Sequence, residues 1–259
     1  MSIYLKSEAE IELMRAANQI VARVLDAVRD AARPGVSTLE LDQRAEEMIR
    51  AAGAEPAFKG YQGGGPYPFP GTLCTSINEE VVHGIPAAER KLAEGDILSV
   101  DCGAQFKGFY GDSALTVGVG QVSEVAERLL RTTQEALELA IEKTRPGNRL
   151  SDLGGAIQDH VERRGFSVVR DFVGHGVGRN LHEEPQVPHY RASGRDVRLR
   201  QGMVIAIEPM INEGTWKVDS APDGWTQLTA DRKLSAHFEH SVAIGKDGPI
   251  VLSQRAEGA

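Results

Sequence analysis

Arg33-Pro34-Gly35-Val36-Ser37-Thr38-Leu39-Glu40 breaks one amphipathic segment and opens another, and its first three residues return as Arg145-Pro146-Gly147, 112 positions later. Proline removes a helical N–H and clashes with the preceding turn, while glycine accepts the left-handed backbone that follows a helix. Each tripeptide therefore reads as a break between two helices. Before the first break, Ser7-x-x-Glu10 forms a capping box, and Ile11, Met14, Val21, Leu25 and Val28 recur on one helical face. After it, Ser37-x-x-Glu40 caps a shorter helix with Leu39, Leu41, Ala45 and Met48 as apolar positions, ending at Gly53. The second break has the same surroundings. A long helix from Ser123 to Thr144 presents Val125, Leu129, Leu130, Leu137 and Ile141, and a shorter one runs from Ser151 to about Arg164 and ends at Gly165. Gly53 and Gly165 keep the 112-residue offset, so the chain reads as a duplicated unit, about 7–118 and 123–245, within one domain of residues 1–259. The expected fold class is α+β, with two halves whose helices lie outside and whose sheets face a central cleft. Ligands favour such junctions.

The strands follow the helices. Ile97-Leu-Ser-Val-Asp-Cys and Ala114-Leu-Thr-Val-Gly-Val flank a hairpin near Lys107-Gly108, with Asp112 beginning the return strand. Val168 to Phe172 starts a strand, and Met203–Glu208 and His237–Ile244 read as two more. Leu73 to Pro86 reads as short strands and turns carrying His83, and the Gly- and Pro-rich stretch from Gly60 to Gly71 is too broken for regular structure.

Composition excludes several classes. A net charge of −8 without a Lys/Arg run argues against a nucleic-acid footprint. No apolar run approaches the length of a membrane span, and Met1-Ser-Ile-Tyr-Leu-Lys-Ser-Glu has no secretory pattern, so a cytoplasmic address is expected. Cys74 and Cys102 are too few for a disulfide framework.

Chemistry gathers at two kinds of residue. His175 stands between Gly174 and Gly176, followed by Gly178, and His182 lies seven positions on. Glycines let a ligand approach the backbone, so this imidazole looks presented rather than packed. The stretch is not a phosphate loop, because no Gly-Lys-Ser/Thr follows. It is not a His-Glu-x-x-His zinc helix either, since position 186 is Gln and Pro185 breaks a helix. Meanwhile Asp101, Asp112, Glu208 and Glu239 fall inside or at the ends of apolar strands, where an unpaired carboxylate costs several kcal/mol. Each alone could be a salt bridge or an exposed strand end. Two from each half, joined by His175, make an oxygen-rich set whose four negative charges balance two divalent cations, a pattern suited to two-metal hydrolysis. His83 and His182 would then bind substrate or stabilise an oxyanion.

Six segments carry a family resemblance: Ser99-Val-Asp-Cys-Gly, Tyr110-Gly-Asp-Ser, Gly174-His-Gly-Val-Gly-Arg, His182-Glu-Glu-Pro-Gln-Val, Ile207-Glu-Pro-Met and Ser235-Ala-His-Phe-Glu-His. In this order the chain resembles a type I methionine aminopeptidase of the minimal bacterial form, in metallopeptidase family M24. The match runs from about Ser7 to Leu252. The resemblance implies a pita-bread fold and removal of the initiator methionine from nascent chains with a small second residue, by a hydroxide activated between two metals. It implies Asp101, Asp112, His175, Glu208 and Glu239 as ligands of two divalent ions (cobalt, manganese, iron or zinc), with Asp112 and Glu239 bridging. Glu208 is then the acid/base partner, His182 stabilises the tetrahedral intermediate, and His83 contacts the substrate amine or scissile peptide. Tyr61, Phe69, Cys74 and Trp225 are implied as the methionine pocket, where aromatic edges suit a thioether. Cys74 reads equally well as a small buried residue. Leu181 stands where relatives carry an aromatic.

The implied partners are nascent polypeptide N-termini, met at the ribosome, with no nucleic acid or membrane bound directly and a monomeric protein. Two other readings stay open on the sequence: a proline-specific aminopeptidase or dipeptidase of the same fold, and a relative that binds peptides without cutting them.

Overall fold

A computed structural model describes residues 2–194 and 196–255, so both ends of the expected 1–259 unit fall outside the described residues. Helices α1 (Glu8–Ala31), α2 (Thr38–Ala51), α3 (Glu124–Lys143) and α4 (Leu150–Glu162) take the places their periodicity indicates. Ser7 and Ser37 each cap an N3 amide, and Glu10 and Glu40 reach back to the serine N–H, so two orphan amides are satisfied at each start. On α1 the five apolar positions read from the sequence are all buried. On α2 the buried face is Leu41, Asp42, Ala45 and Ile49, while Leu39 and Met48 are only half-buried. Asp42 turns that face. Its Oδ1 accepts the Thr72 and Leu73 N–H groups at 2.7 and 2.8 Å and so starts the strand Leu73–Ile77.

The two helix breaks have matching geometry. Gly35 and Gly147 have φ of +91° and +94°, and Gly53 and Gly165 have +72° and +81°. The Gly35 N–H donates to the Leu92 carbonyl at 2.8 Å and the Gly147 N–H to the Leu199 carbonyl at 3.0 Å. Each turn is thereby hooked onto an incoming chain segment just before a strand of the cleft.

Two antiparallel sheets supply the cleft walls. The first is built on the hairpin Ile97–Phe106 and Phe109–Gly118, with Leu73–Ile77 and Glu55–Pro56 also paired to Ile97–Phe106. The second runs in the order Pro249–Val251, His240–Ile244, Val204–Ile207, Gly174–Gly176, Glu183–Val187. They meet where the Glu239 N–H donates to the Ala114 carbonyl (3.0 Å) and the Ser113 hydroxyl donates to the Glu239 carbonyl (2.7 Å). A single buried cluster joins Val21 and Leu25 of α1 to Leu129 of α3, Ile157 of α4 and Ile205. Helix α1 lies tight on the hairpin: a Cβ at Gly111 would fall 2.6 Å from the Ala17 and Asn18 backbone.

Three strand readings need correction. Asp112 does not begin the return strand, because pairing starts at Phe109. Lys107 and Gly108, at φ of +49° and +79°, close a two-residue turn whose twist lets the strands pair at once. Of Val168 to Phe172 the strand takes in Val168 alone, as Ser167–Val168, and Val169 adds one hydrogen bond from its N–H to the Met210 carbonyl at 3.0 Å. His237–Ile244 is two strands, not one. Ser235–His237 pairs with Met210–Asn212 in a small separate sheet, whereas His240–Ile244 pairs with Val204–Ile207. The neighbour breaks at the same level, at Glu208-Pro209, and Pro209 has no N–H to give a ladder.

Candidate metal centre and adjoining cavity

The strand breaks decide where the acids point. In the hairpin Asp101 opposes Ala114 and Asp112 opposes Gly103, so the two aspartates stand diagonally on one face. Glu208 and Glu239 sit in the two breaks, where the chain changes sheets. Asp101, Asp112 and Glu239 offer oxygens that all lie within 4.8 Å of one another. His175 Nε2 lies 3.7 Å from Asp112 Oδ2 and 3.5 Å from Glu208 Oε1. Its Nδ1 is 2.8 Å from the Gly176 carbonyl, which can only accept, so Nδ1 carries the proton and the Nε2 lone pair faces the acids. All five residues singled out in the sequence are together, and Asp112 is common to both sets of contacts.

Among the described residues no Lys or Arg pairs with this cluster, and Arg255 only weakly offsets the charge of Glu239. Asp101 Oδ1, Asp112 Oδ1, Glu208 Oε1 and Glu239 Oε1 are buried without a hydrogen-bond partner among the described residues. Their ion-pair neighbours there are His175 and His237. Burial holds both imidazoles down to about 3, so neither carries a compensating charge at neutral pH. Burial also pushes Asp101 up to about 7 and drives Asp112, Glu208 and Glu239 well above the carboxylate range, with mutual repulsion adding to the last three. Buried carboxylates without partners are the signature of a cation site. The donor set, oxygens with one imidazole, fits divalent metals of the hard-to-borderline kind.

A cavity of about 290 Å³ opens onto the acids. Its apolar wall is a buried cluster of Phe58, Phe69, Cys74, Leu181 and Trp225, with Tyr61 packed against it. Trp225 comes from a polar stretch, Asp223-Gly224-Trp225-Thr226, and is nevertheless 4% exposed. The irregular segment 62–68 accounts for this. Its Tyr67 carbonyl accepts the indole N–H at 3.0 Å, and a Cβ at Gly65 would fall 2.2 Å from the ring. The ends of the segment are tied by Phe69 N–H to Tyr61 carbonyl (3.0 Å) and Gly60 N–H to Phe69 carbonyl (2.8 Å). Phe69 then meets Trp225 edge to face at 5.2 Å.

His182 and His83 both line the cavity. His182 Nδ1 is 2.7 Å from the Tyr61 hydroxyl, and its ring centroid is 4.3 Å from that of His175. Burial, then the neighbouring Tyr110 and Asp112, raise the Tyr61 phenol above its usual range. The phenol therefore stays protonated and is able to donate to Nδ1, the arrangement in which His182 carries its own proton on Nε2. His83 has φ of +61°, an unusual backbone for a residue with a side chain. Its ring meets Phe172 and Trp225 edge-on at 5.6 and 6.2 Å, and burial lowers its pKa to about 4.

Sequence reasoning missed Phe58, which had no motif around it, and two buried histidines. His189 Nε2 accepts the Glu208 backbone N–H at 3.1 Å, and His237 Nε2 lies 3.9 Å from Glu208 Oε2. A second opening shares His83, Asp101, His175, His182 and Glu208 with the cavity and leads past Phe172 and Gln186.

Comparison with known proteins agrees with this geometry. Residues 12–246 match the model of metallopeptidase family M24. A methionine aminopeptidase of Clostridium perfringens is 51% identical over 97% of this chain and 98% of its own. The crystal structure of a methionine aminopeptidase from Thermotoga maritima superposes with a TM-score of 0.94 at 46% identity, covering 98% of this chain and all of that one. A prolidase from Pyrococcus horikoshii shares the fold at 24% identity with a TM-score of 0.78, and this chain spans 64% of it. The protein thus belongs to metallopeptidase family M24 and, within it, to the type I methionine aminopeptidases, with their pita-bread fold.

Proposed function

We propose that the protein removes the initiator methionine from nascent polypeptides whose second residue is small. One observation carries this reading: an apolar, thioether-tolerant cavity ends at a cluster of buried, unpartnered carboxylates. A methionine side chain held between Phe69, Cys74, Leu181 and Trp225 brings its own carbonyl to the acids. The second opening gives the rest of the polypeptide a way out.

Asp101, Asp112, His175, Glu208 and Glu239 would hold two divalent cations. Such ions lower the pKa of a water and polarise a carbonyl. The protein's own groups do the rest. Glu208, in a dry site and beside the cluster, takes up and returns the proton that passes from water to the leaving amine. His182 Nε2–H donates to the oxygen on which charge develops, and Tyr61 keeps that proton on Nε2. His83, neutral and wedged between aromatic edges, receives the substrate amine or the scissile N–H. Residues 1–259 act as one catalytic unit derived from a duplication, for which the closely similar backbone angles at the two helix breaks speak. Because one chain contributes every group, we infer a working monomer, acting in the cytoplasm where nascent chains leave the ribosome.

The test is hydrolysis of Met-Ala-Ser, Met-Trp-Ser and Ala-Pro-Ala by metal-reconstituted protein. Turnover of Met-Ala-Ser alone, abolished by chelator, is expected. Cleavage of Ala-Pro-Ala would move the substrate class to the prolyl enzymes, and equal cleavage of Met-Trp-Ser would remove the small-residue preference. The tautomer lock has its own test. Tyr61→Phe should lower kcat about tenfold with little change in metal content, since it removes an orienting partner and no ligand. An unchanged kcat would show that His182 does not depend on Tyr61.

A further inference from the structure

One ion pair is as buried as the acids of the cleft and has no part in the chemistry above. Lys6 and Glu183 lie 177 positions apart, with Nζ 2.6 Å from Oε2 and both side chains 6% exposed. The other oxygen of Glu183 accepts the backbone N–H groups of Arg179 and Asn180, at 2.8 and 3.1 Å. A single carboxylate therefore closes the turn 179–183, and that turn carries Leu181 of the cavity wall and His182. The lysine is fixed in its own right. Its N–H donates to the Gly202 carbonyl at 2.7 Å, and its ammonium also reaches the Tyr4 carbonyl at 3.3 Å.

The turn is shaped to let the lysine through. A Cβ at Gly178 would fall 2.6 Å from Lys6 Cε and 2.7 Å from Glu183 Oε1, so this glycine leaves room for the stem of Lys6. The Gly178 carbonyl accepts the Tyr110 N–H at 2.9 Å, which ties the same turn to the hairpin that bears Asp112. The neighbouring pair Arg179–Glu10, at 3.1 Å, has its arginine 65% exposed and holds the turn far less firmly. The backbone of His182 thus depends on Glu183, and the buried charge of Glu183 depends on Lys6.

We propose that Lys6 is a positioning residue for His182, acting through Glu183. Without the ammonium, the carboxylate has lost its only charged partner among the described residues, and the two amides it anchors lose a fixed acceptor. A small drift of the turn moves the Nε2–H of His182 off the position where charge develops, and such donors act only when held in place. This inference rests on the role given to His182 above. A plain tether of the N-terminal segment would lower stability and leave the turnover of folded protein alone.

The experiment is a kinetic cycle of Lys6→Met, His182→Ala and the double variant on Met-Ala-Ser, with saturating metal and well below each melting midpoint. Lys6→Met should lower kcat about tenfold at unchanged metal content. In the His182→Ala background it should change the residual rate less than about twofold, because the group it positions is gone. Losses that multiply, or a Lys6→Met variant that melts lower yet keeps its kcat, overturn the proposal. A wild-type rate for His182→Ala alone would instead sink the role of His182 and take this inference with it. Glu183→Gln runs through the same cycle, so a poorly folding Lys6 variant still leaves a decisive result.

Discussion

Glu208→Gln is expected to lower kcat by about 10³-fold while leaving the fold intact. The amide matches the carboxylate in size and leaves the backbone N–H of residue 208 bonded to His189, so the strand break keeps its shape. What it removes is a group that can take a proton and give it back. It also removes one of four negative charges, which weakens cation binding, so the two effects must be separated by titrating metal to saturation. The low kcat should persist there. Recovery of kcat at high metal would mean that Glu208 is a ligand and nothing more.

The second large effect concerns Glu239. Its carboxylate is 2% exposed, one of its oxygens has no partner, and three other acids repel it. Glu239→Gln should abolish turnover and cut metal content, because the remaining acids balance less charge. In metal-free protein at pH 8 the same change should raise the melting midpoint. Removing a buried charge that three acids repel and that Arg255 only weakly offsets is worth about 1 kcal/mol or more, which is a few degrees for a domain of this size. Function and stability are thus opposed at this position, as expected where a site is built to hold a cation. A metal-free variant that melts below the wild type would show that Glu239 already has a compensating partner in the folded protein.

The helices and the acids were legible from the sequence for local reasons. Capping boxes at Ser7 and Ser37, proline-glycine breaks and helical periodicity act over one or two turns. Charged residues within apolar strands such as Ile97-Leu-Ser-Val-Asp stand out against their neighbours. The cleft geometry was less legible because it depends on where strands change partners. His237 to Ile244 has an unbroken strand-like pattern, and nothing local shows that its two ends pair in different sheets. Pro209 was the available signal, since the neighbouring ladder has to end there. Phe58 and the Lys6–Glu183 pair were invisible for another reason. Each is defined by contacts far along the chain: Phe58 and Lys6 lie in no motif, and the motif that holds Glu183 does not reveal a partner 177 positions away. Trp225 is the intermediate case: a polar context does not by itself bury an indole, and the cover comes from the 62–68 segment.

The proposed function requires that Asp101, Asp112, His175, Glu208 and Glu239 together hold the metal that the adjoining cavity serves. Anomalous diffraction from crystals soaked in manganese tests it most directly. Two peaks enclosed by these five side chains are predicted, and both should vanish in the Asp112→Ala variant. Anomalous density elsewhere, or none at all in protein that cleaves Met-Ala-Ser, would contradict the account.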